Sequence, residues 1–219
     1  MLALLISMLE AKAFPSGQLG ANTVVFYDKD TKDTMIMDSG AENKQLLKYL
    51  KDNNLKVKYI TTTHAHFDHV FGTGYLQALY PEIPVTCYKL DVQNWQANAI
   101  FAPMFGVSMP SNFPRQPTET FDDGAIFTLG SHEIKFIYTP GHTIGGVCFY
   151  CAEEKLAVTG DTLFNGGVGR TDFPTGNPSE LKKSIDRIGN EFGSDWIFYP
   201  GHGEAGTIGS AVKQAKRMV

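Results

Sequence analysis

The pattern of hydrophobic and polar positions along the chain predicts alternating strands and helices. Short apolar runs rich in β-branched and aromatic residues are bounded by Gly, Pro, Asp or Asn, as is typical of strands. Eight such runs predict strands, at 23–27, 34–37, 57–61, 85–88, 134–138, 147–150, 156–159 and 196–199. The interleaved elements indicate α and β layers, but periodicity alone leaves open a parallel sheet or two sheets flanked by helices.

Helical periodicity marks three segments. Residues 41–51 place three leucines on one face and lysines on the other. Asn177 is a suitable N-cap, followed by Pro178 as the first helical residue and Glu180 near the positive helix start. The stripe that follows predicts a core-facing side, and it consists of Leu181, Ile185, Ile188 and Phe192. Residues 208–218 predict a short closing helix.

Two segments lack a clear period. Residues 99–121 hold four prolines and four phenylalanines, which predicts an ordered loop that either packs on the domain or lines a pocket. Residues 1–9 are apolar without a basic start, and they are shorter than the ~20 residues of a membrane span. We expect them to lead into a first strand, with a signal-like role as the alternative.

Length and composition bound the function classes. The 219 residues suit a single domain, 1–219, and 42% hydrophobic with 19% charged residues is ordinary for a globular protein. A net charge of −4 and a pI near 5.8 give no basic footprint, so we expect neither nucleic acid nor membrane as a partner.

The cysteines point to a reducing compartment. Cys87, Cys148 and Cys151 form an odd set with no disulfide-like framework, so we expect a cytoplasmic location. Cys148 and Cys151 are spaced Cys-x-x-Cys, but they fall in a predicted strand, where residues three apart point to opposite faces. We therefore interpret them as buried core thiols and not as a redox or zinc motif.

Histidines are concentrated in one short segment. Three of the six lie in Thr-His-Ala-His-Phe-Asp-His, residues 63–69. Neutral imidazole and carboxylate groups are ligands for borderline divalent metals such as zinc, and a chain seldom concentrates them by chance. A lone histidine is more often a hydrogen-bonded structural residue, but this clustering favours metal binding. The first candidate ligands are therefore His64, His66, Asp68 and His69.

Three further segments supply candidate ligands, and each follows a predicted strand. His142 lies in Pro-Gly-His-Thr, Asp161 in Thr-Gly-Asp-Thr, and His202 in Pro-Gly-His-Gly. Such glycine-containing turns are where a rigid scaffold presents residues from distant parts of the chain. Seven ligands exceed the four of a closed structural zinc site, and they suffice for two metals that keep positions open for water and substrate.

The ligand types predict the chemistry of the site. Two divalent cations would make it locally positive, which favours a small anionic substrate. A metal lowers the pKa of its water from ~15.7 toward ~7, so a bound hydroxide can attack an acyl carbon without a serine or cysteine nucleophile. We predict two divalent ions and expect zinc, although nitrogen and oxygen ligands also fit iron or manganese.

Together the motifs resemble those of the metallo-β-lactamase superfamily. The four pieces, at 63–69, 140–143, 160–164 and 200–203, occur in the family's order. The run Gly-Asp-Thr-Leu-Phe-Asn-Gly-Gly-Val-Gly-Arg-Thr-Asp-Phe-Pro, 160–174, is similar to the small hydrolases related to glyoxalase II. The resemblance implies an α+β or α/β fold, an αββα sandwich of two mixed sheets flanked by helices, with the metals at one edge.

The resemblance also implies a role for each ligand. It assigns one metal to His64, His66 and His142, and the other to Asp68, His69 and His202. Asp161 would bridge the two metals opposite a bridging hydroxide. Asp68 would also orient that hydroxide or accept a proton, so Asp68 and Asp161 are the catalytic candidates. The implied function is a metal-dependent hydrolase of thioesters or related esters.

Other residues leave alternatives open. Asp38 matches a family position that supports the ligand loops, but it suits equally an N-cap or turn residue for the helix that follows. Arg170 could orient substrate, although pairing with Asp172 is the favoured interpretation. His132 matches no ligand motif.

Departures from glyoxalase II and related classes define the alternatives. A short segment follows His202, without the added helical domain or the tyrosine of glyoxalase II, so we expect a smaller or different thioester than lactoylglutathione. Persulfide dioxygenases share the Gly-Arg-Thr-Asp-Phe run and hold one iron. They usually carry arginine and cysteine where this chain has Asn165 and Val168. Nucleases and exported β-lactamases of the superfamily fit the charge and the N-terminal sequence less well.

Overall fold

The first sheet is built from the N-terminal part of the chain. A computed structural model describes residues 8–218, so most of the apolar segment 1–9 lies outside the described residues. The sheet has the order β1 (Leu9–Ser16), β2 (Ala21–Asp28), β3 (Asp33–Met37) and β4 (Lys56–Thr61). The β3–β4 pair is parallel, and the others are antiparallel. A small parallel pair lies beyond, formed by β5 (Thr86–Tyr88) and β6 (Glu119–Phe121).

The second sheet comes from the C-terminal part. Its six strands are β7 (Phe127–Leu129), β8 (His132–Tyr138), β9 (Val147–Cys151), β10 (Leu156–Gly160), β11 (Ile197–Pro200) and β12 (Gly206–Thr207). They are hydrogen-bonded in sequence order, and only the β10–β11 pair is parallel. Strands β8, β10 and β11 therefore run in one direction and end at the same edge of the sheet.

Helices cover the outer faces. They are α1 (Lys44–Asp52), α2 (Phe67–Val70), α3 (Thr73–Leu79), α4 (Val92–Met104), α5 (Pro178–Glu191) and α6 (Ile208–Ala215). Asn43 caps α1 by accepting from two backbone N–H groups, and Asn177 caps α5 as predicted. Within residues 8–218, no helix combines the length and the apolar character needed to cross a membrane.

Alternation along the strands produces four layers. On β2, Val25 packs with α1 residues such as Leu46, whereas Phe26 faces the second sheet and packs with Phe149 of β9. The other face of β9 packs with α5 and α6. Cys148 of β9 and Ile185 of α5 belong to the same apolar cluster there. The chain is therefore an αββα sandwich with mixed sheets, which confirms the predicted fold class.

Most predicted elements are present. All eight predicted strands and all three predicted helices occur, with bounds that differ by a few residues. Leu181, Ile185, Ile188 and Phe192 form the predicted core stripe. The cysteines are buried and free, and Cys148 and Cys151 lie in the clusters on opposite faces of β9, as predicted.

The expectation of a loop over residues 99–121 is wrong at both ends. Residues 99–104 belong to α4, which continues through Pro103 to Met104, and residues 119–121 form β6. A proline near the end of a helix removes few hydrogen bonds. The buried Trp95 and Ala102 anchor α4 in the same apolar cluster as Val25 and Leu46. Only the segment between these two elements is irregular.

Candidate metal centre

The seven predicted ligands meet at one edge of the sandwich. His142, Asp161 and His202 follow β8, β10 and β11, whose ends lie side by side because the three strands run in one direction. The other four come from the first sheet, in the turn after β4 and in α2, and they are His64, His66, Asp68 and His69. Residues separated by more than 100 positions in sequence are thus brought into one cluster.

One group consists of His64, His66 and His142. One potential ligand atom from each lies within 4.8 Å of the other two. The Nδ1 atom of His66 is 2.9 Å from the Nε2 atom of His142. His64 and His142 are buried and His66 is partly exposed, so the group faces the surface on one side only.

A second group consists of Asp68, His69 and His202, again with ligand atoms within 4.8 Å of one another. Asp68 Oδ2 lies 3.2 Å from His202 Nε2 and 3.7 Å from His69 Nε2. This group shares no residue with the first. A third group, formed by Asp38, His64 and His69, overlaps both, so the two sets are adjacent parts of one cluster.

Asp161 lies between the two groups. Its Oδ1 atom is 3.4 Å from His69 Nε2, and its Oδ2 atom is 3.5 Å from His142 Nε2 and 3.6 Å from His202 Nε2. One carboxylate therefore lies within 3.6 Å of both sets of potential ligands, and its Oδ2 atom faces a histidine of each.

Electrostatics in the cluster favour positive charge near the carboxylates. Burial, reinforced by neighbouring histidines, lowers the pKa of His64 and His66 well below the usual value. Burial alone would also lower the pKa of His69, but the facing carboxylates outweigh it and raise this pKa to about 10. Burial would raise the pKa of Asp68, yet His69, His202 and His66 bring it well below its usual range. The Asp68 carboxylate is thus ionised and attracts positive charge.

Hydrogen bonds fix which ring nitrogens face the cluster. His142 donates from Nδ1 to the carbonyl oxygen of Arg170 at 2.7 Å, and His202 donates from Nδ1 to that of Leu19 at 3.2 Å. His64 Nδ1 is 3.1 Å from the hydroxyl of Thr63. These contacts leave the Nε2 atom of each ring toward the cluster, unprotonated when the ring is neutral.

Asp38 supports the cluster from behind. Its fully buried carboxylate accepts from the Thr62 hydroxyl at 2.8 Å, from the Thr63 N–H at 2.6 Å and from the Thr63 hydroxyl at 2.8 Å, and it lies 3.2 Å from His69 Nδ1. Asp38 is not the N-cap of the helix that follows, because Asn43 caps α1. The residue has a positive φ of 61°, which Asp and Asn tolerate better than most side chains.

Sequence reasoning missed a second buried carboxylate. Asp91, just before α4, accepts hydrogen bonds from the backbone N–H groups of Ala65 and Gly145 and from the side chain of Asn94. Asn98, one turn further along α4, donates to the carbonyl of Ala65. The only sequence signal is the spacing of Asp91, Asn94 and Asn98, which places three polar residues on one helical face.

Glycines allow the ligand loops to approach one another. A Cβ atom on Gly201 would overlap Asp161 Oδ1 and lie 2.8 Å from His69 Cε1. A Cβ atom on Gly169 would overlap the carbonyl oxygen of Asp161 and lie 2.8 Å from His142 Nδ1. Gly201 and Gly169 are therefore required because a side chain at either position would collide with the candidate ligands.

The cluster opens into a cavity of about 330 Å³, here called the site cavity. His66, Asp68, His142, Asp161 and His202 line one side of it. Five aromatic side chains also line it, namely Phe67, Phe101, Phe105, Phe164 and Phe173, together with Leu19, Asn94, Val168, Gly169, Arg170 and Pro174. Phe101 and Phe105 belong to the segment 99–121, which therefore lines a pocket as well as packing on the core. An apolar pocket with a few convergent polar groups is typical of a small-molecule site.

Two other residues have structural contacts. Arg170 forms a two-pronged pair with Asp172 at 2.8 and 2.7 Å, which is the favoured interpretation from the sequence, and it also lines the site cavity. His132 is buried between the carboxylates of Asp28 and Glu154, at 3.1 Å from each, and is not part of the cluster.

The residues present fit a divalent metal. Within residues 8–218, several buried polar atoms of the cluster have no hydrogen-bond partner, among them His64 Nε2, His69 Nε2 and Asp161 Oδ1. A buried polar atom without a partner costs free energy, so native structures rarely keep several together without a reason. Nitrogen and carboxylate oxygen atoms facing one point are the donor set of zinc, iron or manganese.

Fold and site define a class of protein: a four-layer αββα sandwich with a histidine–aspartate cluster in the loops at one edge. The chain belongs to the metallo-beta-lactamase superfamily, whose sequence model matches residues 17–203. This confirms the resemblance inferred from the four motifs.

Individual relatives cover most of the chain. The hydroxyacylglutathione hydrolase GloC from Haemophilus influenzae is 33% identical over 181 residues, which are 82% of this chain and 84% of the relative. The crystal structure of the BLEG-1 B3 metallo-beta-lactamase matches with a TM-score of 0.81 at 28% identity, covering 92% of this chain and 95% of that one. The crystal structure of TTHA1623 in a di-iron-bound form matches with a TM-score of 0.78 at 28% identity, covering 93% and 98%.

Proposed function

We propose that this chain is a metal-dependent hydrolase of thioesters or related esters that holds two divalent cations. The position of Asp161 carries the proposal, because one carboxylate faces two separate ligand groups within 3.6 Å. His64, His66 and His142 would hold one cation, and Asp68, His69 and His202 the other. Asp161, which faces both groups, would be shared between the two.

The metal is proposed from the donor set. The seven ligands offer only imidazole nitrogen and carboxylate oxygen, so zinc, iron and manganese all fit, and we expect zinc. The TTHA1623 structure holds two irons, which supports a site for two metals in this fold. Ionised carboxylates that raise the pKa of His69 to about 10 indicate that the cluster binds positive charge readily.

The chain's own residues suit acyl hydrolysis. Bound divalent cations would polarise the substrate carbonyl and lower the pKa of water. Asp68, whose pKa the neighbouring histidines keep below its usual range, would remain ionised and could orient the attacking water. Phe105 and Phe173, whose ring centres are 6.0 Å apart, supply apolar surface to the site cavity beside the cluster.

The thioester class is proposed from the relative. GloC is named a hydroxyacylglutathione hydrolase, and it is similar to this chain over most of both sequences. The substrate would be a small acyl thioester or ester whose anionic groups are drawn to the bound cations. A cytoplasmic location stays a prediction from the three free cysteines.

The test combines metal analysis with a substrate panel. Metal content would be measured on freshly purified protein, and hydrolysis would be followed with a set of thioesters that includes lactoylglutathione, with nitrocefin in parallel. We expect about two metals per chain and thioester hydrolysis. The Asp161→Asn variant should lose metal at both positions, while Asp52→Asn, an exposed change on α1, should keep both.

Two outcomes would contradict the proposal. Retention of two metals and full activity in Asp161→Asn would remove the bridging role on which it rests. One iron per chain, with oxygen uptake in the presence of glutathione persulfide and no thioester hydrolysis, would assign the chain to the persulfide dioxygenases instead.

A further inference from the structure

A second cavity of about 290 Å³ adjoins the site cavity, and we call it the side cavity. The two cavities share Leu19, Phe67 and Asp68 in their walls. Asp68 belongs to the candidate metal centre, so the two cavities adjoin at a candidate ligand. Its volume is close to the ~300 Å³ at which small-molecule pockets begin.

The walls of the side cavity are held by tight backbone packing. A Cβ atom on Gly40 would overlap the carbonyl oxygen of Asp68, and one on Gly72 would lie 2.8 Å from the carbonyl carbon of Ala41. A Cβ atom on Gly74 would lie 2.7 Å from the carbonyl carbon of Asn112. Three separate segments around the cavity therefore press on their neighbours, and the cavity has a defined shape.

The walls of the side cavity combine apolar side chains with acidic ones. Phe67, Phe71 and Val107 supply apolar surface, and the side chains of Gln18, Tyr75, Ser108 and Asn112 supply hydrogen-bonding groups. Glu42 and Asp68 are the charged residues among the described lining residues, which include no Lys, Arg or His. The site cavity differs, because histidines and Arg170 line it.

Glu42 and Tyr75 both line the side cavity, and their side chains interact. Burial and the nearby Glu42 carboxylate raise the pKa of Tyr75, so its hydroxyl stays protonated near neutral pH. Asp68 would be neutralised by a cation at the cluster, whereas Glu42 faces no cationic side chain within this cavity. A carboxylate over apolar walls attracts a positive group and repels a negative one.

We propose that the side cavity is a substrate subsite that binds an apolar chain with a positively charged end, selected by Glu42. The proposal deepens the proposed function and rests on it for the position of the scissile carbonyl beside the cluster. The substrate would then span the two cavities. Its carbonyl would lie near Asp68, and its cationic end would lie near Glu42.

The kinetic test uses two thioesters of the same thiol that differ by one atom. The 4-(trimethylammonio)butanoyl and 5,5-dimethylhexanoyl groups share a shape, but only the first is charged. A second pair would carry the same two end groups on the thiol portion, because either end of the substrate could lie on the side of Asp68 that faces Glu42. We expect kcat/KM to favour the cationic member in at least one pair.

Variants connect that preference to one residue. In Glu42→Gln, the ratio of kcat/KM for the cationic and neutral members should fall about fivefold, which corresponds to roughly 1 kcal/mol between solvated charges. Glu191→Gln on α5 removes the same charge outside both cavities and should leave the ratio unchanged. No preference in either pair, or equal ratios in the wild type and Glu42→Gln, would overturn the subsite.

A binding measurement separates this inference from the proposed function. Calorimetric titration with 4-(trimethylammonio)butanoate and 5,5-dimethylhexanoate needs no turnover. Tighter binding of the cationic acid to the wild type, with about a fivefold smaller advantage in Glu42→Gln, would support the subsite even if no thioester is hydrolysed. Equal binding of the two acids by the wild type, together with thioester turnover that shows no charge preference, would overturn the subsite and leave the hydrolase proposal intact.

Discussion

The Asp38→Asn substitution should weaken metal binding while leaving the fold intact. Asparagine has nearly the same shape as aspartate and tolerates the positive φ of 61° at this position. Oδ1 of the new side chain can still accept from the Thr62 hydroxyl and the Thr63 N–H, which now lie 2.8 and 2.6 Å from it. The Thr63 hydroxyl can turn to accept from the new amide. The contact that cannot be kept is the one with His69.

The magnitude follows from that lost contact. Asp38 Oδ2 lies 3.2 Å from His69 Nδ1, where a carboxylate favours the tautomer with a proton on Nδ1 and a free Nε2. An amide N–H at this position favours the opposite tautomer, whose protonated Nε2 cannot bind a metal. Loss of such a partner costs 10- to 100-fold in metal affinity, or about 1.4–2.8 kcal/mol. The free energy of unfolding without metal should fall by about 1–2 kcal/mol, because a charged acceptor becomes neutral.

The assay is competition for zinc between the protein and a chromophoric chelator at fixed pH, with thermal unfolding of the metal-free protein measured alongside. Asp52→Asn on the exposed surface of α1 is the control, and it should bind zinc as the wild type does. Zinc affinity of Asp38→Asn within a factor of three of the wild type would refute the argument. Unfolding of the variant at room temperature would instead show that Asp38 acts on the fold as a whole.

Three other perturbations test the packing and the metal. Gly201→Ala should lower the proposed thioester hydrolysis about 100-fold, because the new methyl group displaces Asp161 and His69. Gly167→Ala is the control and should keep that activity, because its Cβ would meet its nearest atom at 3.7 Å. Removal of metal by a chelator should lower Tm by roughly 5–10 °C, measured by calorimetry, if free metal had been about 100 times its Kd. Burial raises the pKa of the Cys87 thiol, and it raises that of Cys148 to about 12. Ellman's reagent at pH 9 should therefore detect no rapidly reacting thiol in the folded protein. After denaturation it should detect three thiols.

The strong periodic elements of the fold were predictable from the sequence. Strand β2 and helix α5 have long apolar patterns, and their ends carry turn residues or an N-cap. Strands β7 and β12 have three and two residues, too few to show a period, and neighbouring strands hold them in place. Short edge strands depend on tertiary pairing, so local pattern does not reveal them.

Helix α4 was missed because its buried side mixes amides that face the site with apolar residues that face the core. Asn94 and Asn98 point inward to the ligand loops, while Ile100 and Met104 are exposed. Buried amides and exposed apolar residues obscure the usual amphipathic pattern of a helix. Pro103 in the last turn also suggests that the helix ends earlier than it does. A helix that buries amides at a site therefore has no clear apolar stripe.

The candidate ligands were predictable because their chemistry is visible in single residues. Histidine and aspartate in glycine-rich turns after strands indicate a site by residue type and position alone, and the fold brings all seven together. Asp91 gives no such sign. Its partners Ala65 and Gly145 lie 26 and 54 residues away, and the contacts are to backbone atoms that any sequence would offer.

Asp38 and Asp91 constrain the same ligand loop in different ways. Asp38 contacts Thr62, Thr63 and the ring of His69, whereas Asp91 binds the backbone N–H groups of Ala65 and Gly145. Asp91 contacts no candidate ligand side chain among these partners, so it sets the path of two loops. Asp38 sets the ring of a candidate ligand. Because both carboxylates are fully buried and hydrogen-bonded, the loop after β4 is irregular in conformation yet fixed in position, as a preorganised metal site requires.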